Sequence, residues 1–233
     1  MRGLEVIPIE GLPEVARGDD LAGLVAEAAP DLRDGDVVVV TQKVVSKAEG
    51  AMVRIDTDDP RGHKAIVEAE SVRIVRRRGD LIISETRHGF VCANAGVDLS
   101  NVDEGWAALL PDDSDRSARR IRDGIRAAAG VEVAVIVSDT FGRPWRKGLT
   151  DVAIGCAGIQ AVVDLRGTED TKGRELQVTE VCVVDELACA AELGMGKASG
   201  VAAAVVRGVD PDWLGRGEVR AEVVRPPAED LFR

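Results

Sequence analysis

Apolar positions along this chain follow two rhythms, and the changes between them mark out the predicted elements. Leu4 to Ile9 alternates and branches like a strand, and Gly11, Leu12 and Pro13 break it into a loop. Asp19 or Asp20 can cap a helix whose Leu21, Leu24, Val25 and Ala28 share one face. Asp34-Gly35 turns the chain into Val37 to Thr41, a continuous apolar run suited to a strand covered on both faces, and polar Gln42, Lys43, Ser46 and Lys47 follow at once. Helical spacing of Ile66, Ala69, Val72 and Val75 predicts a helix over about 64–76, then short strands over 81–84 and 89–92 and a turn-rich loop over 94–101. A helix is expected from Ser114 to Ala129, with Gly130 in the left-handed position after it. Val133 to Val137 predicts another buried strand, ending in Ser138-Asp139-Thr140. Further on, a hairpin-like polar stretch is expected over 167–173, a helix over 180–193, a strand over 201–206 and a last strand over 219–224. This mixture predicts an α+β (mixed α/β) fold with sheets flanked by helices.

Composition narrows the classes of function. A chain of 233 residues buries roughly 70% of its unfolded surface, enough for a core without disulfide or metal staples, in one domain or two small interleaved ones. A net charge of -11 argues against nucleic-acid binding unless a local basic patch opposes it. Two short patches occur. Arg76 to Arg78 reads as a helix end, where cations complement the dipole, whereas Arg143 to Lys147 sits in a glycine and proline loop. Cys92, Cys156, Cys182 and Cys189 have no metal-knuckle spacing and read as small buried hydrophobes in a reducing compartment. No apolar run approaches a membrane span or follows a basic start, so a cytoplasmic protein is expected. With only His63 and His88 present, a histidine-rich zinc site or a Ser-His-Asp triad is all but excluded. Any metal must be held mainly by oxygen, which favours hard ions such as Mg²⁺ or Mn²⁺.

Glycine loops do not reveal a nucleotide site. Gly194-Met195-Gly196-Lys197 has Ala191 and Ala198 where a phosphate-binding loop needs Gly and Ser or Thr, and Ser199 replaces the last Gly of a dinucleotide fingerprint. Helix termination is the simpler reading. Polar residues released at the ends of buried strands are more informative, because a rigid scaffold presents them to a shared crevice. Asp139-Thr140 can hold a hard cation and orient a phosphate oxygen, and Ala95 to Asn101 adds Asp98 within a glycine-containing loop. If Asp98 and Asp139 meet, they can bind one or two cations. Arg143, Arg146 and Lys147 follow directly and suit an anionic substrate.

Several ordered motifs resemble the coenzyme F420-0 gamma-glutamyl ligases. They are Val6-Ile7-Pro8 with Gly11-Leu12-Pro13-Glu14, Gly18-Asp19-Asp20-Leu21, Val44-Val45-Ser46-Lys47-Ala48-Glu49-Gly50, Ala95 to Asn101, Ser138 to Gly148, Thr179-Glu180-Val181 and Arg225-Pro226 to Phe232. The resemblance runs along essentially the whole chain. It implies GTP contacts from Leu12, Pro13, Glu14, Val15, Lys47 and Asn101, with Gln42 at a further contact position where relatives often carry Ser. It implies metal ligation by Asp98, Asp139 and Thr140 (Mn²⁺ or Mg²⁺, with K⁺ as an additional candidate) and catalytic roles for Asp98, Asp139 and Lys47. Arg143, Arg146 and Lys147 remain this reading's own candidates for binding the acceptor. The implied reaction adds L-glutamate to the lactyl carboxylate of F420-0, and then further gamma-linked glutamates, through an acyl phosphate made from GTP. The resemblance also implies a stand-alone form without a flavin-binding domain, and an intertwined homodimer. Two alternatives stay open: an amide ligase for another carboxylate-bearing coenzyme, and a non-catalytic nucleotide-binding module.

Overall fold

A computed structural model describes residues 3–59 and 61–231. In chain order the elements are β1 (Glu5–Pro8), α1 (Leu21–Ala28), β2 (Val37–Thr41), α2 (Gln42–Glu49), β3 (Met52–Arg54), α3 (Gly62–Glu70), β4 (Ser71–Arg78), β5 (Leu81–Thr86) and β6 (Val91–Ala93). They continue with β7 (Trp106–Ala108), α4 (Ser114–Ala129), β8 (Ala134–Arg143), β9 (Arg146–Ala157), β10 (Val163–Asp164), β11 (Glu180–Val181), α5 (Val183–Met195), β12 (Ala203–Arg207) and α6 (Val219–Glu222). The fold is mixed α+β, as its sequence pattern predicts. Phe232, the end of the last motif, lies outside the described residues.

A five-stranded sheet in the order β1-β12-β2-β8-β9 forms the centre. Only β2 and β8 pair in parallel, and the other neighbours are antiparallel. Side chains alternate across a strand. Val38 and Val40 therefore enter one core with Val135, Val137, Leu21, Val25 and Ile125, while Val37 and Val39 enter a second with Ile136, Val184, Leu187 and Met195. Covering both faces explains why β2 reads as an unbroken valine run. A three-stranded sheet, β4-β5-β6, and the small β3-β7 pair lie beside this body.

Local chemistry sets the boundaries. Asp20 caps α1 by accepting from Gly23 N at 3.2 Å, and Asp113 caps α4 by accepting from Arg116 N at 2.8 Å. Helix α4 ends at Gly130 with φ 71°, a backbone angle that glycine adopts at no steric cost.

Three expectations are corrected. The predicted helix over 64–76 stops at Glu70, because Ser71 Oγ donates to Val67 O at 2.6 Å and the chain continues as β4, which carries branched Val72, Ile74 and Val75 and pairs with β5 through Ile74, with Val72 and Val75 at irregularities in the register. Arg76 to Arg78 therefore end a strand rather than a helix. The predicted strand over 219–224 is the short helix α6, whose first amides, Val219 N and Arg220 N, donate to the buried Asp115 carboxylate at 2.9 and 3.1 Å. The glycine and proline loop around Arg143 is the tip of the β8-β9 hairpin, in which Arg143 faces Arg146. Smaller shifts also occur: α5 begins at Val183, after Glu180 and Val181 have paired with Asp164 and Val163. Only Cys92 and Cys156 are fully buried, while Cys182 and Cys189 are partly exposed. No helix among the described residues is long and apolar enough to cross a membrane.

Candidate active site

Polar residues gather where the parallel pair β2-β8 ends. A cleft of about 580 Å³ lies there, lined by Glu14, the start of α2, the loop after Asp98, the outer half of β8-β9 and the turn after α5. Glu14, Gln42, Lys47, Asp98, Asn101, Asp139 and Thr140 all reach it. Another cleft, of about 600 Å³, lies between Arg17 to Ala22 and α4, with Arg17, Glu49, Arg116 and Arg120 on its walls. None of the anticipated site residues faces that second space.

Asp98 is fixed by backbone pairing with Ala108, at 3.0 and 2.9 Å. Its Oδ1 accepts from Ser100 N at 2.7 Å and from Ser100 Oγ at 2.8 Å, and its Oδ2 meets Lys43 Nζ at 2.9 Å. Burial opposes its ionisation, but the Lys43 and Ser100 hydrogen bonds outweigh this and hold its carboxyl below the ordinary carboxylate range. Asp139 behaves in the opposite way. Burial, reinforced by the charges of Asp98 and Asp151, pushes it up to about 7 despite the hydrogen bond from Thr140 N. Such a carboxyl fits a nearby hard cation, which would offset both its desolvation and the repulsion from its neighbours.

Three lysines bring positive charge to the cleft. Lys43 pairs with Asp98, Lys47 with Glu14, and Lys197 with Thr140 Oγ1 and Asp151 Oδ1, the last at 3.3 Å. Among the described residues no group of three or more His, Cys, Asp or Glu side chains is arranged to hold a metal. A cation here would therefore use two carboxylates, Asp98 and Asp139, together with the Thr140 hydroxyl and ligand oxygens. That donor set is all oxygen and fits Mg²⁺ or Mn²⁺.

Other anticipated residues are placed less directly. Val15 is buried in the core and Leu12 packs against it, so these two have only backbone to offer a ligand, while Pro13 is exposed. Gln42 is 2% exposed, and its amide nitrogen donates inward to Ser46 Oγ at 2.6 Å and Leu109 O at 2.7 Å. Both amide hydrogens are thereby committed, leaving its oxygen as the free acceptor. Arg143, Arg146 and Lys147 are exposed on the hairpin tip and do not line the cleft; Leu149 of the same hairpin does.

Lys43, Ser100, Asp151, Glu192 and Lys197 also line the cleft, beyond the residues anticipated from the sequence. Nothing in the local pattern marks Asp151; only the hairpin register, which pairs it with Thr140, brings it to the cleft. Lys197 directly follows Gly196, the cap that ends α5, and the turn there brings the lysine to the cleft.

The model of the F420-0:gamma-glutamyl ligase family matches residues 11–208. The chain belongs to this family. It is 44% identical to the coenzyme F420:L-glutamate ligase of Methanothermobacter thermautotrophicus, over 99% of each chain. It is 46% identical to the protein of the same name from Methanopyrus kandleri, over 100% of each, and 40% identical to that from Methanocaldococcus jannaschii, over 100% of this chain and 98% of the relative. Membership in the F420-0:gamma-glutamyl ligase family thus rests on the whole length, whereas the roles of individual side chains rest on the cleft geometry.

Proposed function

We propose that this chain joins L-glutamate to the lactyl carboxylate of coenzyme F420-0 and drives the reaction with GTP. The convergence of Asp98 and Asp139 on one lysine-lined cleft carries the proposal. The names of its full-length relatives support the choice of glutamate and an F420 acceptor.

A carboxylate resists attack by an amine because it is anionic and its oxide is a poor leaving group. In the proposed sequence an acceptor carboxylate oxygen attacks the gamma-phosphorus of GTP and GDP leaves, giving an acyl phosphate. The glutamate amine then attacks the acyl carbon. Inorganic phosphate departs, and the nitrogen gives up a proton as the amide forms. Catalysis of the first step is largely a matter of position and charge. Asp98, Asp139 and Thr140 would hold divalent cations, which neutralise charge on the phosphates. Lys47, and Lys43 once released from Asp98, present ammonium groups to the same oxygens, while Asn101 and the backbone from Leu12 to Val15 flank the nucleotide. Arg143, Arg146 and Lys147 project from a hairpin whose Leu149 borders the cleft, and a mobile acceptor tail could meet them there.

A homodimer belongs to the same proposal. Exposed Val72, Val75 and Leu81 on β4-β5, and Trp145 and Leu149 on the hairpin, are apolar surface of the kind a second copy covers. The direct test of function mixes the protein with GTP, Mn²⁺, glutamate and F420-0 and follows product mass. A gain of one glutamyl residue, with GDP formed in step, is expected. GTP hydrolysis without ligation, or ligation only to a different carboxylate, would replace the assignment.

A further inference from the structure

The cleft between Arg17 to Ala22 and α4 has a wall in common with the candidate active site. Lys47 of α2 faces the active cleft, while Ala48 and Glu49, the next two residues, face the other. Glu14 likewise lines the first and Arg17 the second, and the chain from one to the other spans at most about 11 Å. The two spaces are neighbours, so a chain-like ligand leaving one can reach the other.

Sorting the charges of this cleft by partner leaves positive charge uncommitted. Asp19 accepts from Ala16 N at 2.8 Å, Asp20 caps α1, Asp113 caps α4, and Asp112 pairs with Arg87 at 2.7 Å. Glu49 accepts from Ser117 Oγ at 2.7 Å and holds Arg120 only loosely, at 3.8 Å. The side chains of Arg17 and Arg116 have no hydrogen-bond or ion-pair partner among the described residues. Gly50, at φ 73°, ends α2, and a Cβ there would stand 2.7 Å from Arg17 Nε, so the glycine leaves a bed for that side chain. Arg116 and Arg120 lie one turn apart on α4, with Cβ atoms about 5–6 Å from each other.

A guanidinium fork takes a carboxylate through two parallel hydrogen bonds. Several forks around one cleft suit a ligand whose carboxylates repeat along a chain, which the net charge of -11 would otherwise repel. A γ-linked glutamyl tail is such a ligand, because each residue in it keeps its α-carboxylate. We propose that this cleft binds the tail of an acceptor that already carries glutamates, with Arg17, Arg116 and Arg120 holding its α-carboxylates while the terminal carboxylate lies in the active cleft. The inference rests on the proposed ligase reading and adds a preference among acceptors. F420-0, which brings only its lactyl carboxylate, has no tail to place there.

Two measurements test this. Isothermal titration of the wild-type protein with tri-γ-glutamate, without GTP or acceptor, should show binding that weakens as salt is raised. Arg116→Ala and Arg120→Ala on α4, and Arg17→Ala on the loop, should each weaken it by about 10-fold or more. All three side chains are exposed, so melting temperatures should stay at the wild-type value. In turnover followed by product mass, the variants should add the first glutamate to F420-0 at the wild-type rate, with KM raised by about 10-fold or more only for an acceptor bearing a tri-γ-glutamyl tail. No peptide binding by wild type, or equal binding by the variants, would overturn the proposal. Loss of the first addition together with the later ones would overturn it too. A wild-type protein that adds no glutamate to F420-0 would instead sink the ligase reading, and the titration would still decide whether the cleft takes a γ-glutamyl chain.

Discussion

Asp139 sits close enough to Asp98 for the charge of one to oppose ionisation of the other, although one comes from a strand and the other from a loop before β7. Two acids brought together in this way and lined by lysines make a place for a cation. Replacing Asp139 by Asn should lower turnover by at least about 100-fold while leaving the circular-dichroism spectrum unchanged. Full activity in the variant would take Asp139 out of the metal site.

The same carboxyl makes metal-free stability depend on pH. Its folded value, about 7, lies above the ordinary 3.8, so the folded state binds the proton more tightly than the unfolded chain. Stability from this group is therefore highest at low pH and declines as pH rises from about 4 to about 7, by roughly 2–4 kcal/mol. Denaturant midpoints of apo protein should show this decline, Asp139→Asn should lack it, and saturating Mn²⁺ should reverse it. An identical pH dependence in the two apo proteins would refute the point.

His88 titrates in the opposite sense. Burial, with Arg87 nearby, lowers its pKa below 6.5, although the backbone of Pro111 and Asp112 works against the shift. The unfolded chain therefore takes up its proton first, and stability should fall as pH drops below 6.5. His88→Phe should remove that loss and be neutral or stabilising by about 1 kcal/mol at pH 7. Thermal melts from pH 5 to 8 would measure both effects.

Asp115 ties three parts of the chain together, accepting from Cys156 N of β9 at 2.9 Å as well as from the first two amides of α6. Asp115→Ala should cost about 3 kcal/mol, because it strands buried amides. Urea unfolding would measure the loss, and a change below about 1 kcal/mol would show that water replaces the carboxylate.

Lys47 offers a test on the nucleotide side. Removing its ammonium group in Lys47→Met should weaken GTP binding by roughly 10- to 100-fold, the worth of a charged hydrogen bond, with glutamate KM unchanged. Equal losses for both substrates would place Lys47 elsewhere in the reaction.

The sequence displayed strands such as Val37 to Thr41 clearly, because a strand covered on both faces must be apolar at every position. It displayed α4 as well, ended by Gly130 in the left-handed position, while the Asp113 cap at its other end shows only in the structure. It did not display α6 or the end of α3, since an acid 104 residues away from Val219 caps one and a hydroxyl with a neighbouring strand ends the other. In the cleft, Asp139 and Thr140 stood out at the end of an apolar run, and Asp98 as the acid of a glycine-containing loop. Asp151 did not, because its meaning depends on register across a bulged hairpin, and Lys197 resembled an ordinary residue after a helix cap.

Val137 faces Gly155 but Ser138 faces Ala153, so Ile154 is an extra residue, a bulge that divides β9 into two lengths that keep different time. Inward of it, Cys156 and Ala157 count out the positions of a scaffold; outward of it, the count restarts and an acid, not a valine, answers Thr140. Shortening the strand by that one amino acid would leave every reactive side chain in the sequence and still send the wrong partner to the threonine. A comparison of relatives by residue identity alone would miss such a loss, whereas a comparison of strand length between the valine core and the hairpin tip would reveal it.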